Sequence, residues 1–460
     1  MMAVFKGKAS WLSAFLVSVS VCVGPVKGEN MGWKVGVAKA IITPEKAVWL
    51  AGYGSKRVPE GKLHDLWMKV IALEDAEGHR AVMVTTDHMG IPKPMYENMV
   101  ARIKERFGLD RSQVMFTFSH NHCGPRLTGD LTDYYPEEAG QVALVKEYTE
   151  AMEAKTVEAV GEALSRLAPA TLAMGEGVCT FAANRRNNRE ADLPAIMASG
   201  QGFKGPVDHA VPVLAIENQK GQLAGVLFGY ACHATTLSFT YWCGDYPGFA
   251  QLALEKNHPT ATAMFVPGCG GDQNPLPRRS VTLCEKYGDM LAESVEKVLQ
   301  QDMKPVPARL RTAFEFVDLP YLKVMAREDL QAGLRNPNAI YARWARRMLA
   351  ELDAGETFAS SYPYPVHVWK IGDIVFIALG AEAVVDYSLR FKKEFGPSTW
   401  VCGYADDLVA YIPSRRVWEE GGYEGGAHLY EYGRPALRWA GDVEDRIAGA
   451  VHRLAQQVGR

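Results

Sequence analysis

A β-forming run, Gln113-Val114-Met115-Phe116-Thr117, breaks off into Phe118-Ser119-His120-Asn121-His122-Cys123-Gly124-Pro125, and this junction restricts the fold more than any other stretch. β-Branched and aromatic residues followed by a turn signal read as the end of a buried strand. Side chains i and i+2 of a strand share a face, so His120 and His122 look into one cavity. Two imidazoles converging there suit a metal or an acid/base site. The plain alternative is two ordinary histidines, one of them capped by a backbone carbonyl.

Other apolar runs end the same way. Residues 81–86 lead into Asp87-His88-Met89-Gly90, residues 222–230 into Ala231-Cys232-His233, and residues 374–379 into Gly380-Ala381-Glu382. Open α/β sheets collect ligands at such carboxyl ends. Further strands are predicted at 34–44, 68–74, 170–175, 211–217, 262–266, 365–370 and 400–404. Helical spacing predicts helices at 94–107, 144–167, 249–256, 281–299 and 327–352, with a terminal helix from Asp442. Ala51-Gly52-Tyr53-Gly54 reads as a tight loop where backbone approaches something closely. The polar run 182–189, rich in arginine, reads as a loop and, functionally, as an anion or carboxylate clamp. Pro267-Gly268-Cys269-Gly270-Gly271-Asp272-Gln273-Asn274-Pro275 is a glycine-rich turn matching no nucleotide motif. No repeat or linker divides the chain. The expected architecture is α/β (mixed α+β), a single large domain over 29–460 with central mixed sheets flanked by helices and a metal site at the strand ends.

Of the 460 residues, 48% are hydrophobic and 22% charged, the balance of a globular protein. A net charge of −3 without a Lys/Arg cluster argues against nucleic acid as a partner. Lys6 and Lys8 precede an apolar run at 11–21, with small residues near 26–28, the pattern of a secretory signal peptide over 1–28. A lipoprotein signal at Cys22 is the alternative. The protein is therefore expected to be secreted or periplasmic, and no second apolar stretch is long enough to span a bilayer. Of eight cysteines, seven would remain after cleavage, none in a C-x-x-C pair. They read mostly as buried small hydrophobes, and spacing gives no disulfide connectivity.

Gly36-Val37-Ala38-Lys39-Ala40-Ile41-Ile42-Thr43-Pro44, Thr85-Thr86-Asp87, Ser119-His120-Asn121-His122-Cys123-Gly124-Pro125, Gly271-Asp272 and Gly422-Tyr423-Glu424 together resemble the neutral/alkaline (non-lysosomal) ceramidases, in that family's order. The resemblance implies a secreted zinc-dependent amidohydrolase. Its ligands would match His120, His233, Glu382 and a tyrosine, Tyr411, although a shifted alignment puts Leu408 there. His122 would bind substrate or move a proton, Arg185 would lie near the reacting carbonyl, and Tyr423 would line the site. Such a zinc ion lowers the pKa of its water to about 7 and polarises a carbonyl, enough for attack on an N-acyl amide. Two departures stand out. Asn274 occupies the place of the family's serine, and the family's small C-terminal β-domain has no room here. The resemblance therefore implies a small-molecule or lipid-like amide as substrate. The alternatives are a glycan derivative or ester, or a non-catalytic ligand-binding homologue. No G-x-S-x-G elbow favours a serine hydrolase.

Overall fold

The computed structural model describes residues 1–2 and 32–459, so all but the first two residues of the expected signal peptide lie outside the described residues. The apolar runs pair into one 13-stranded mixed sheet. From one edge its order is Thr262–Pro267, Leu223–Tyr230, Ala210–Asn218, Ala168–Val178, Trp33–Ile41, Trp67–Glu74, Arg80–Thr86, Val114–Phe118, Trp400–Ala405, Ile374–Gly380, Ser361–Ile371 and Leu310–Pro320, with Lys304–Pro305 pairing beside it. Arg80–Thr86 and Val114–Phe118 run parallel, as do Ile374–Gly380 and Trp400–Ala405.

Both faces of the sheet's centre are covered, so the strands Arg80–Thr86, Val114–Phe118 and Ile374–Gly380 are buried at nearly every position. In Trp67–Glu74 and Arg80–Thr86, Ile71, Leu73, Ala81 and Met83 enter one core while Val70, Ala72, Val82 and Val84 enter another. The first core joins Trp33, Leu214, Leu227 and Met264 from one half of the sheet to Trp369, Phe376 and Trp400 from the other. Gly268 bridges to Cys402, so the Thr262–Pro267 edge returns onto Trp400–Ala405 and the sheet curls on itself. That curl brings strand ends that are remote in the sheet order to one place.

Helices cover the outside. Lys93–Phe107 begins after Pro92, with Pro94 in its first turn, ends on Gly108 in the left-handed region, and buries Met95, Tyr96, Met99, Val100 and Ile103. Ala139–Ser165 extends further at its start than expected, and Val281–Leu299 matches its expected span, capped by the Ser280 side chain. The expected helix at 327–352 is two, Arg327–Gly333 and Ala339–Asp353. Pro337 cannot continue the first, and the Asn338 side chain caps the second. Leu310–Pro320 is a strand that the pattern did not announce. As the sheet's edge it carries Arg311, Glu315 and Asp318, which mask its alternation. The polar run at 182–189 is only partly loop, because Ala182–Asn184 pairs antiparallel with Gln273–Pro275. No described helix is long and apolar enough to cross a membrane.

Candidate metal centre

Three strand ends converge. Val114–Phe118 delivers His120, Leu223–Tyr230 delivers His233, and Ile374–Gly380 delivers Glu382. His120 and Ala381, the residue before Glu382, sit at φ 58° and 61°. Left-handed backbone at non-glycine residues costs on the order of 1–3 kcal/mol each and persists only where the surroundings impose it. All three residues are at most 2% exposed. Glu382 Oε2 lies 3.1 Å from His120 Nε2 and 3.0 Å from His233 Nε2. These three ligand atoms lie within 4.8 Å of one another, the one His/Cys/Asp/Glu group among the described residues arranged to hold a metal ion.

The donor chemistry fits a cation. His120 Nδ1 faces the Met89 carbonyl at 2.6 Å and His233 Nδ1 the Gly270 carbonyl at 2.6 Å. A carbonyl only accepts, so each Nδ1 carries a proton, and in the neutral form each ring would turn an Nε2 lone pair towards the carboxylate. Nitrogens and a carboxylate oxygen so arranged need positive charge between them, which ring protons or a bound cation can supply. Burial pushes the Glu382 carboxyl up, but His120 and His233 outweigh it and hold the group well below the usual range. Burial, with Arg185 adding to it, lowers the His233 imidazole to about 4, so this ring favours its neutral, ligating form.

Around this centre the other expected residues assemble. The Tyr411 hydroxyl is 3.3 Å from His233 Nε2, whereas Leu408 packs against Gly90. His122 Nε2 is 3.3 Å from His120 Nε2, and burial together with His120 holds its imidazole well below the usual value. A Cβ on Gly52, at φ 80°, would stand 2.3 Å from His122 Nδ1, so this is the close approach the glycine loop makes. Arg185 donates from Nε to Glu424 at 2.7 Å, its guanidinium lies 5.2 Å from the Tyr411 ring centre, and its buried Nη2 has no partner. Asn274 Oδ1 accepts from Arg185 Nη1 at 3.5 Å. The exposed Tyr423 ring packs 5.1 Å from Tyr411, and its hydroxyl donates to Glu431 Oε2 at 2.7 Å. Gly52, His122, Leu131, Tyr134, Tyr411 and Tyr423 help to line a cavity of about 30 Å³.

Some partners escaped the sequence reading. The Tyr432 hydroxyl donates to Glu382 Oε1, and the fully buried Tyr404 stacks on His120 at 4.7 Å with its hydroxyl 3.2 Å from His233 Nδ1. Tyr404 ends a strand and could have been found by that rule; nothing local marks Tyr432. Other residues are structural. Asp87 accepts from the Trp67 amide, and His88 Nε2 lies 3.0 Å from the Tyr148 hydroxyl. Asp272 accepts from the Val385 backbone amide, at the start of the helix Val385–Phe395, and from the Asn184 side-chain amide.

Comparison with known proteins points one way. The family model for neutral/alkaline non-lysosomal ceramidase, N-terminal, matches residues 33–269. The neutral ceramidase of Pseudomonas aeruginosa is 23% identical over 503 residues, covering 91% of this chain and 72% of that protein. The crystal structure of neutral ceramidase from Pseudomonas aeruginosa superposes with a TM-score of 0.68 at 20% identity, over 92% of this chain and 75% of the other. A ceramidase complexed with C2 gives 0.69 at 18% identity, over 93% and 75%.

Proposed function

The chain belongs to the neutral/alkaline non-lysosomal ceramidase family, and on that premise we propose that it is an exported, zinc-dependent amidohydrolase acting on the N-acyl bond of a ceramide-like lipid amide. The observation that carries this reading is the pair of Nε2 atoms facing one buried carboxylate oxygen, with each Nδ1 tied to a carbonyl. Two imidazoles and a carboxylate suit Zn²⁺, with Tyr411 as a further ligand at hand. Bound there, zinc would supply Lewis acidity to a carbonyl and to water. Export rests on Lys6, Lys8 and the apolar run at 11–21.

The chain's own groups would do the rest. His122, neutral and beside His120, takes a proton from the attacking water and returns it to the leaving nitrogen. Arg185, fixed by Glu424, directs its unpartnered Nη2 at the oxygen on which charge develops. Asn274 offers an amide where the family has a hydroxyl, so water is left as the nucleophile. Tyr423 borders the cavity and orients substrate.

Hydrolysis of a fluorogenic N-acyl sphingosine is expected, lost on chelation and restored by zinc. Failure to cleave any N-acyl amide would overturn the reading. Asn274 favours a second one, in which the same centre cleaves an ester or a glycan derivative or binds ligand without turnover. Ester cleavage that His120→Ala abolishes, with the lipid amide untouched, would establish the hydrolytic form of it.

A further inference from the structure

One buried arginine braces the wall of the metal cavity. Arg57 is 7% exposed, and its carbonyl accepts from the Leu50 amide at 3.0 Å, which folds the stretch between them into one loop. The guanidinium turns back over that loop. Its Nη2 donates to the carbonyls of Ala51, of Gly52 at 3.4 Å and of His122 at 2.7 Å, and its Nη1 donates to the Phe239 carbonyl at 3.2 Å. The Tyr53 ring centre lies 4.8 Å away. Each of these acceptors is a backbone carbonyl and none is a carboxylate, so peptide dipoles solvate the buried cation. Burying charge on these terms is costly, and the carbonyls offset it only while they stay in place.

The carbonyls belong to three segments: the glycine loop, the turn that carries His122, and the stretch that follows His233. Tyr53 ties the same parts, its hydroxyl donating to the Leu237 carbonyl at 2.8 Å and its ring centre 4.6 Å from that of His122. The His122 imidazole is thus hemmed in by Tyr53, by Gly52 and by His120. It differs from the metal-facing histidines at Nδ1. A carbonyl holds that atom in His120 and in His233, whereas His122 Nδ1 is buried without a hydrogen-bond partner. With Nδ1 unheld, the backbone position that Arg57 fixes and the walls it draws together decide where Nε2 points. A planar guanidinium fork reaches carbonyls on two sides, which the single ammonium of a lysine does not.

We propose that Arg57 is the positioning residue for His122, a clamp that holds its imidazole at the reacting bond. This rests on the reading of His122 as the group that moves the proton during hydrolysis. Arg57 is not among the residues lining the cavity, so it acts through what it holds. A reacting group misplaced by about 1 Å costs on the order of a hundredfold in turnover. His120, His233 and Glu382 keep their own partners without Arg57. Its loss therefore lowers kcat and spares zinc binding and KM.

The test is a double-mutant cycle of Arg57→Lys with His122→Ala, read by hydrolysis of the fluorogenic N-acyl sphingosine, zinc content and circular dichroism. Arg57→Lys is expected to lower kcat by about a hundredfold, with KM, zinc content and spectrum nearly unchanged. In the His122→Ala background the same change should cost nothing further, because the group it positions is gone. Additive losses, or wild-type kcat in Arg57→Lys, would overturn the proposal. Arg57→Gln carries the same expectations if the lysine variant does not fold. A second readout needs no turnover. In protein labelled with carbon-13 at histidine Cε1, the His122 resonance, identified by its loss in His122→Ala, should shift or broaden in Arg57→Lys while that of His258 stays. An unmoved His122 resonance overturns the proposal, whereas a moved one in a chain that hydrolyses nothing supports the clamp and counts against the hydrolase reading alone.

Discussion

At the scale of single residues, tautomers carry the account. The metal-facing histidines and His88 each have one ring nitrogen fixed by a neighbour, and that decides what the other can do. Tyr148 donates to the Ile42 carbonyl and so accepts from His88 Nε2, leaving a neutral His88 with a bare, unpartnered Nδ1. Burial alone lowers this imidazole to about 3. Between about pH 3 and the ordinary histidine value near 6.5, the unfolded chain binds a proton here that the folded chain refuses, so stability rises with pH across that window and is lost as pH falls through it. His88→Gln removes the titration while keeping an N–H for Tyr148. Denaturant unfolding at a series of pH values should show about 1–3 kcal/mol lost near pH 7 but a flatter decline on acidification. An unchanged slope would mean that His88 is protonated in the fold.

At the scale of elements, strands whose apolar runs end in polar residues were legible because burial on both faces leaves nothing else for them to be. His120, His233 and Glu382 were found by that rule, and geometry then gathered them. What stayed hidden depended on contacts between distant segments. The pairing of Ala182–Asn184 with Gln273–Pro275, which brings Arg185 beside Asn274, has no local pattern. The edge strand Leu310–Pro320 hid behind its charges, and Pro337 was overlooked inside a long helical pattern. That break has a measurable consequence. Asn338 Oδ1 accepts from the Ile340 and Tyr341 amides, so Asn338→Ala should cost about 1 kcal/mol. The helix it starts carries Arg343 and Arg347 to the segment Asp133-Tyr134 beside the cavity. Calorimetric unfolding should record the loss, with hydrolysis at saturating substrate nearly unchanged.

At the scale of the whole molecule, the curled sheet is what makes a metal site possible. Val114–Phe118 and Ile374–Gly380 flank Trp400–Ala405, whereas Leu223–Tyr230 lies near the far edge and joins them because the Thr262–Pro267 edge returns onto Trp400–Ala405. No short segment contains the site, so metal binding and folding are linked, and a cation present at a hundred times its dissociation constant should stabilise the fold by about 2.7 kcal/mol. The central claim is that His120, His233 and Glu382 hold a catalytic metal. Its most direct test is elemental analysis of the purified protein beside His120→Ala and Glu382→Gln variants shown to be folded by circular dichroism. One equivalent of zinc in the wild type and little in either variant is the predicted result. A folded wild type that binds no metal, or variants that retain the full equivalent, would contradict it.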